Sequence, residues 1–173
     1  LTTNGGMGSR AGVSIRGAKS TQTLVLINGV NVKSATAGEA SMFNIPLDSI
    51  ERIEIAKGAH SAQYGSDAIG GVVNVITKSG KTCDNGRDFC TTLSAGVSHP
   101  WGGHVGARID GETQDGTRFA LGGRLFGTRG YNFTTIDNLF TYEPDDDGFI
   151  QGSIDFSLSK EFDWGEFYAS GLY

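Results

Sequence analysis

Two kinds of hydrophobic spacing divide this chain. From residue 91 onward, apolar positions recur at every second residue. In "TTLSAGVS" (91–98), Leu93, Ala95 and Val97 share a face. In "HVGARID" (104–110), Val105, Ala107 and Ile109 alternate with His104, Gly106, Arg108 and Asp110. "RFALGGRLFG" (118–127) sets Phe119, Leu121 and Leu125 against Arg118 and Arg124. In 149–162, Ile150, Ile154, Phe156 and Leu158 lie opposite Gln151, Ser153, Asp155, Ser157 and Ser159. "EFYASGLY" (166–173) groups Phe167, Ala169 and Tyr173. Side chains on a strand point alternately to opposite faces, so this pattern predicts five strands, each apolar on one side. Turn residues separate them at 100–103, 113–116 and 163–165, and a long connection runs over 128–148.

Residues 1–80 follow a different grammar and predict a compact α+β unit. "TLVLINGVNV" (23–32) places two apolar strands around Asn28-Gly29, a hairpin signal because both residues tolerate positive φ. "IERIEIAKG" (50–58) alternates, with Ile53 and Ile55 on a face expected to be buried together with Val73 and Val75. "HSAQYG" predicts a helical turn stopped by Gly65, and "SDAIGG" another with Ser66 or Asp67 as N-cap. The strand "VVNVITK" (72–78) follows.

Glycine changes the picture. The chain has 27, where average usage of about 7% would give roughly 12. They follow no collagen period, and regular strand patterning between them argues against glycine-rich disorder. Gly65, Gly70 and Gly71 crowd just before the strongest strand signal, which predicts close backbone packing there. A net charge of -5 argues against a nucleic-acid partner. No apolar run approaches the roughly 18 residues of a membrane-spanning helix. The opening "LTTNGG" has no signal-peptide character, so either a processed start or an internal piece of a longer chain is expected.

Candidate chemistry is sparse. "CDNGRDFC" puts Cys83 and Cys90 on either side of Asn85-Gly86. A disulfide closing that loop would contribute about 2.5 kcal/mol by chain entropy and imply an oxidising compartment; two free thiols are the alternative. "GMGSRA" (6–11) lacks the preceding strand of a dinucleotide site. Counting "DDDG" as an EF-hand from Asp145 puts Phe156 where a bidentate Glu belongs, so that reading fails. His60, His99 and His104 have neither catalytic nor metal-ligand spacing, and no enzyme is expected.

Strands of roughly ten residues, apolar on one side and small or polar on the other, fit a transmembrane β-barrel. A soluble sheet with one buried face is the alternative. Up-and-down order favours the barrel, as do Trp101, Phe162, Trp164 and Tyr173 at the expected strand ends. Closure needs at least about eight strands, so the five here predict an incomplete barrel and a fragment of a larger chain.

"SIRG" (14–17), "LVLINGV" (24–30), "IERIEIAKG" (50–58) and "SAQYGSDAIGGVVNVITK" (61–78) resemble the second half of the plug domain of TonB-dependent outer-membrane receptors. Within that family the likeness is closest to the cobalamin (vitamin B12) receptors, and it extends to "GYNF" (130–133) and "DDDGF" (145–149). The resemblance implies a plug at 1–80, a connecting segment at 81–90 and the first barrel strands at 91–173. It implies active transport across the outer membrane of a Gram-negative bacterium, with outer-membrane lipid around the barrel and the inner-membrane protein TonB as energy-transducing partner. The implied cargo is cobalamin, with a siderophore or haem complex as alternative. Implied substrate-binding residues are Asn4, Ser9, Arg10 and Ala11 at the plug apices, and Thr36, Gly38 and Glu39 in a loop. A calcium ion is implied at Asp145 and Asp147, with Asn132 where the family has a further acidic ligand; a solvated acidic turn is the alternative. A reading from another class is a soluble β-rich adhesion or carbohydrate-binding module.

Overall fold

The chain folds as two units, Leu1–Thr77 and Lys78–Tyr173. The computed structural model describes residues 2–3, 8–9, 11–40, 42, 45–80, 83, 88–132 and 145–173.

The first unit holds a short ribbon and a mixed sheet. The ribbon pairs β1 (Thr2–Thr3) with β2 (Ala11–Gly12). The sheet comprises β3 (Thr23–Ile27), β4 (Val30–Asn31), β5 (Ile50–Lys57) and β6 (Gly71–Thr77), in the order β4-β3-β6-β5. Asn28 and Gly29 take positive φ, 50° and 80°, and turn β3 into β4 as their sequence predicts. The Asn28 amide donates to Thr77 Oγ1 (2.8 Å), and its oxygen accepts from Thr77 N (2.9 Å), tying the turn to the end of β6.

One face of this sheet packs Leu24, Leu26 and Val72 with Ala68, flanked by Ala56. The other buries Val25, Val73 and Val75. Ile53 and Ile55 align with Val75 and Val73, yet they are 49% and 56% exposed, against the expectation that they would be buried. The reason is position: β5 pairs only with β6, so its side chains have neighbours on one side alone.

The helical turn α1 (Ser61–Tyr64) ends at Gly65, φ 87°. A side chain at Gly65 would meet nothing within 4 Å, so this glycine serves backbone conformation and not close packing. The next turn, Ser66–Ala68, starts with Gly65 as N-cap and has no side-chain cap bond. Neither Ser66 nor Asp67 plays that part, because Gly65 already occupies the boundary between the two turns. Gly70 and Gly71 are tight. A Cβ at Gly70 would lie 2.5 Å from Ala18 Cβ, and one at Gly71 2.5 Å from the Ala56 carbonyl oxygen.

The second unit is one antiparallel sheet of β7 (Phe89–Ser98), β8 (Gly102–Glu112), β9 (Thr117–Thr128), β10 (Phe149–Phe162) and β11 (Gly165–Leu172). The strands lie in chain order, and the sheet is not closed. Its burial is reversed. The apolar face is open: Leu93, Val105, Leu121, Leu125, Ile150 and Ile154 are all exposed, and Val97 is 96% exposed. The polar face is covered: Arg108, Asp110, Ser153, Asp155, Ser157 and Ser159 are buried.

A buried charge must be paired to be tolerated. Arg108 Nε donates to Asp110 Oδ1 at 3.0 Å, and Nη1 to Asp155 Oδ2 at 2.5 Å. Arg108 and Asp155 both align with Gly122 on the strand between them. The bridge therefore crosses β9 directly over a residue with no side chain.

Aromatics occupy the strand ends in part. Trp101 and Trp164 are exposed there, and Phe162 stacks on Trp164 with ring centroids 5.3 Å apart. Tyr173 does not belong with them. It exchanges both backbone hydrogen bonds with Ile154 (2.8 Å each), which places it level with the interior of β10.

Candidate functional site

In the first unit, β2 and the loop after β4 come together through one side chain. The Ser20 hydroxyl donates to Glu39 Oε2 at 2.5 Å. Gly12 makes room for this contact: a Cβ there would stand 2.8 Å from Ser20 Cβ and 3.3 Å from Glu39 Oε2. The loop is closed on itself. Gly38 N donates to Ser34 O (2.9 Å), Ser34 N to Glu39 O (3.1 Å) and Ala37 N to Ser34 Oγ (3.2 Å). Gly38 supplies the required positive φ of 70°. A salt bridge from Lys33 to Asp67 (2.9 Å) ties down the start of the loop.

Of the residues implied as substrate contacts, Gly38 and Glu39 thus lie beside the strand that carries Ala11. Thr36 is exposed at the tip of the same loop, Ser9 is half-buried and Ala11 is buried. Asn4 and Arg10 lie outside the described residues. Among the described residues of this set, Ser9 and Thr36 carry hydroxyls, and the Glu39 carboxylate is already engaged by Ser20. Ser20 and Gly12 were not legible as partners of Glu39, because 19 residues separate Ser20 from Glu39 without any repeating spacing.

In the second unit, Gly130 lies directly against the Asp147 carbonyl, with φ 68°. This brings the start of the long β9–β10 connection beside its end. Asp145 and Asp147 are exposed and Asn132 is half-buried. The donors are oxygen, as calcium requires, but the ion takes about six to eight. Among the described residues no group of three or more His, Cys, Asp or Glu side chains is gathered to hold a metal.

Cys83 and Cys90 are joined in a disulfide with Cα atoms 5.8 Å apart. At the β8–β9 turn, Asp115 accepts from Lys160 Nζ (2.5 Å), from Thr113 Oγ1 and from Thr117 Oγ1 (3.2 Å). The Lys160 contact foremost, then Thr113, holds the Asp115 carboxyl below the usual carboxylate range.

Residues 1–72 match the family described as TonB-dependent Receptor Plug Domain. Two solved structures resemble most of the chain. One is a mutant of the ferric enterobactin receptor PfeA from Pseudomonas aeruginosa, at 26% identity and TM-score 0.63, covering 92% of this chain and 26% of that one. The other is the siderophore receptor PirA from Pseudomonas aeruginosa, at 27% identity and TM-score 0.57, covering 91% of this chain and 27% of that one. The chain spans about a quarter of the length of these receptors.

Proposed function

We propose that this chain, whose residues 1–72 match the plug domain of TonB-dependent receptors, is part of an outer-membrane receptor that imports a ferric siderophore. The observation that carries the reading is the reversed burial of β7–β11. A soluble module buries its apolar face. Here the apolar face is open and the charged face is covered, as a wall between lipid and a polar lumen requires. The plug match and both structural neighbours are receptors, which speaks for transport and against an enzyme.

In this reading the cargo is held by hydrogen bonds from Ser9, Thr36, Gly38 and Glu39, with Asn4 and Arg10. Ser20 keeps Glu39 in place, and a pull by TonB on the plug then opens a route inward. Siderophore is preferred because one neighbour is named as a ferric enterobactin receptor and the other as a siderophore receptor. Cobalamin, the cargo suggested by the sequence motifs, rests on those motifs and on the acidic loop. In that second reading calcium joins Asp145, Asp147 and Asn132 to oxygens from elsewhere in the full-length protein.

Two measurements on the full-length protein decide the matter. Membrane fractionation should recover it from the outer membrane only with detergent; a freely soluble protein overturns the receptor reading. Tryptophan-quenching titrations should then give saturable binding of a ferric catecholate chelate and none of cyanocobalamin. Cobalamin binding that strengthens with calcium, and loses that gain in Asp145→Ala/Asp147→Ala, would select the second reading.

A further inference from the structure

Arg108 has a third donor, and it is not spent on a carboxylate. Nη2 donates to the carbonyl oxygen of Lys78 at 3.1 Å. The Ser157 hydroxyl donates to the same oxygen at 3.4 Å. Two residues on, Gly80 is buried, and a Cβ there would collide with the backbone of Phe119 on β9. Cys83 is buried in turn, with its sulfur 3.6 Å from the Asp110 carbonyl oxygen and bonded to Cys90 on β7. Lys78, Gly80 and Cys83 thus each lie against the sheet of their own unit.

We propose that this polar face is a docking site for the chain's own segment Lys78–Gly80, with Arg108 as its clasp. Three features fit that role. The guanidinium presents its donors in a rigid planar fork that reaches three separate acceptors, whereas an ammonium offers its three donors from a single point. Asp110 and Asp155 fix the fork from two sides, so that its remaining edge faces the segment with little freedom left to lose. Gly80 lacks the side chain that would hold strap and wall apart, and Gly122 lacks the one that would push into the Arg108–Asp155 pair beneath. The disulfide makes a second, covalent attachment at Cys83. The strap is thus held at two points, by hydrogen bonds at Lys78 and by a covalent bond to β7 at Cys83. The inference stands on these contacts and does not need the receptor reading.

Hydrogen exchange by mass spectrometry on the full-length protein tests it, comparing peptides over 78–80 with peptides from β8, β9 and β10. Arg108→Lys keeps the charge but loses the fork, and Ser157→Ala removes one hydroxyl without touching an ion pair. Exchange over 78–80 should rise at least tenfold in Arg108→Lys and several-fold in Ser157→Ala, with the strands unchanged in Ser157→Ala. Wild-type exchange over 78–80 in both variants overturns the proposal. So does a rise in Ser157→Ala that is equal across the strap and β8–β10, since that marks general loosening. Neither result depends on whether the protein transports anything, so the clasp and the receptor reading can fail separately.

Discussion

Gly122→Ala adds one methyl group where an ion pair passes. The new Cβ would stand 2.5 Å from Asp155 Oδ1, 3.0 Å from its Cγ and 3.1 Å from Arg108 Nη1. The φ of Gly122 is not in the left-handed region, so backbone strain does not enter and the cost is steric. If the side chains shift while staying paired, the cost is that of overpacking, about 1–3 kcal/mol. If Asp155 is driven off Arg108, a buried charge loses its partner and the cost rises to about 3–5 kcal/mol. A double-mutant cycle separates this from any general intolerance of β9. In an Asp155→Ala background the methyl meets no carboxylate and only Arg108 Nη1 stays close, so Gly122→Ala should cost less than in the wild type by the coupling expected of residues in contact, about 0.5–3 kcal/mol. Denaturant unfolding of the four proteins in detergent, read by loss of β-sheet signal, provides the free energies. Equal costs for Gly122→Ala in both backgrounds would refute the reasoning.

Gly71→Val should destabilise the first unit by about 1–3 kcal/mol or more, because the side chain meets the Ala56 carbonyl and Ile15 and the residue has φ 149°; an unchanged unfolding midpoint would count against it. Cys83→Ser/Cys90→Ser should lower stability by about 2.5 kcal/mol from loop entropy, and intact mass should rise by two hydrogens on reduction of the wild type. Asp115 contributes order to the β8–β9 turn that is complete above the ordinary carboxylate pKa of 3.8 and is lost as pH falls through its depressed folded value. Exchange at residues 113–117 should therefore quicken on acidification below about pH 4, and Asp115→Asn should remove that response.

What was legible in the sequence was whatever repeats locally. Period two placed the strands of the second unit and told their faces apart, because a strand pleat is read from neighbouring residues alone. Asn28-Gly29 announced its turn for the same reason. Which face is covered was not written there, since alternation reads the same in a soluble sheet and in a membrane wall. The exposure of Ile53 and Ile55 depends on β5 being an edge, and that follows from β3 pairing in parallel with β6, a long-range choice. The Arg108–Asp155 bridge spans 47 residues, and its only local trace is charge on the polar side of two strands that flank a glycine. At the candidate plug site the loop residues were visible as turn chemistry, but the Ser20–Glu39 tether was not.

The reversed sheet has a consequence for when the apolar surface of this chain comes into being. Each strand spreads its apolar side chains at alternate positions, so the linear polymer is nearly neutral in hydropathy, with a mean of -0.20. Among the described residues no helix is long and apolar enough to cross a membrane. The oily surface exists only once Leu93, Val105, Leu125 and Ile154 have been brought side by side on neighbouring strands. The chain thus carries its apolar surface as a property of pairing, withheld until the strands meet.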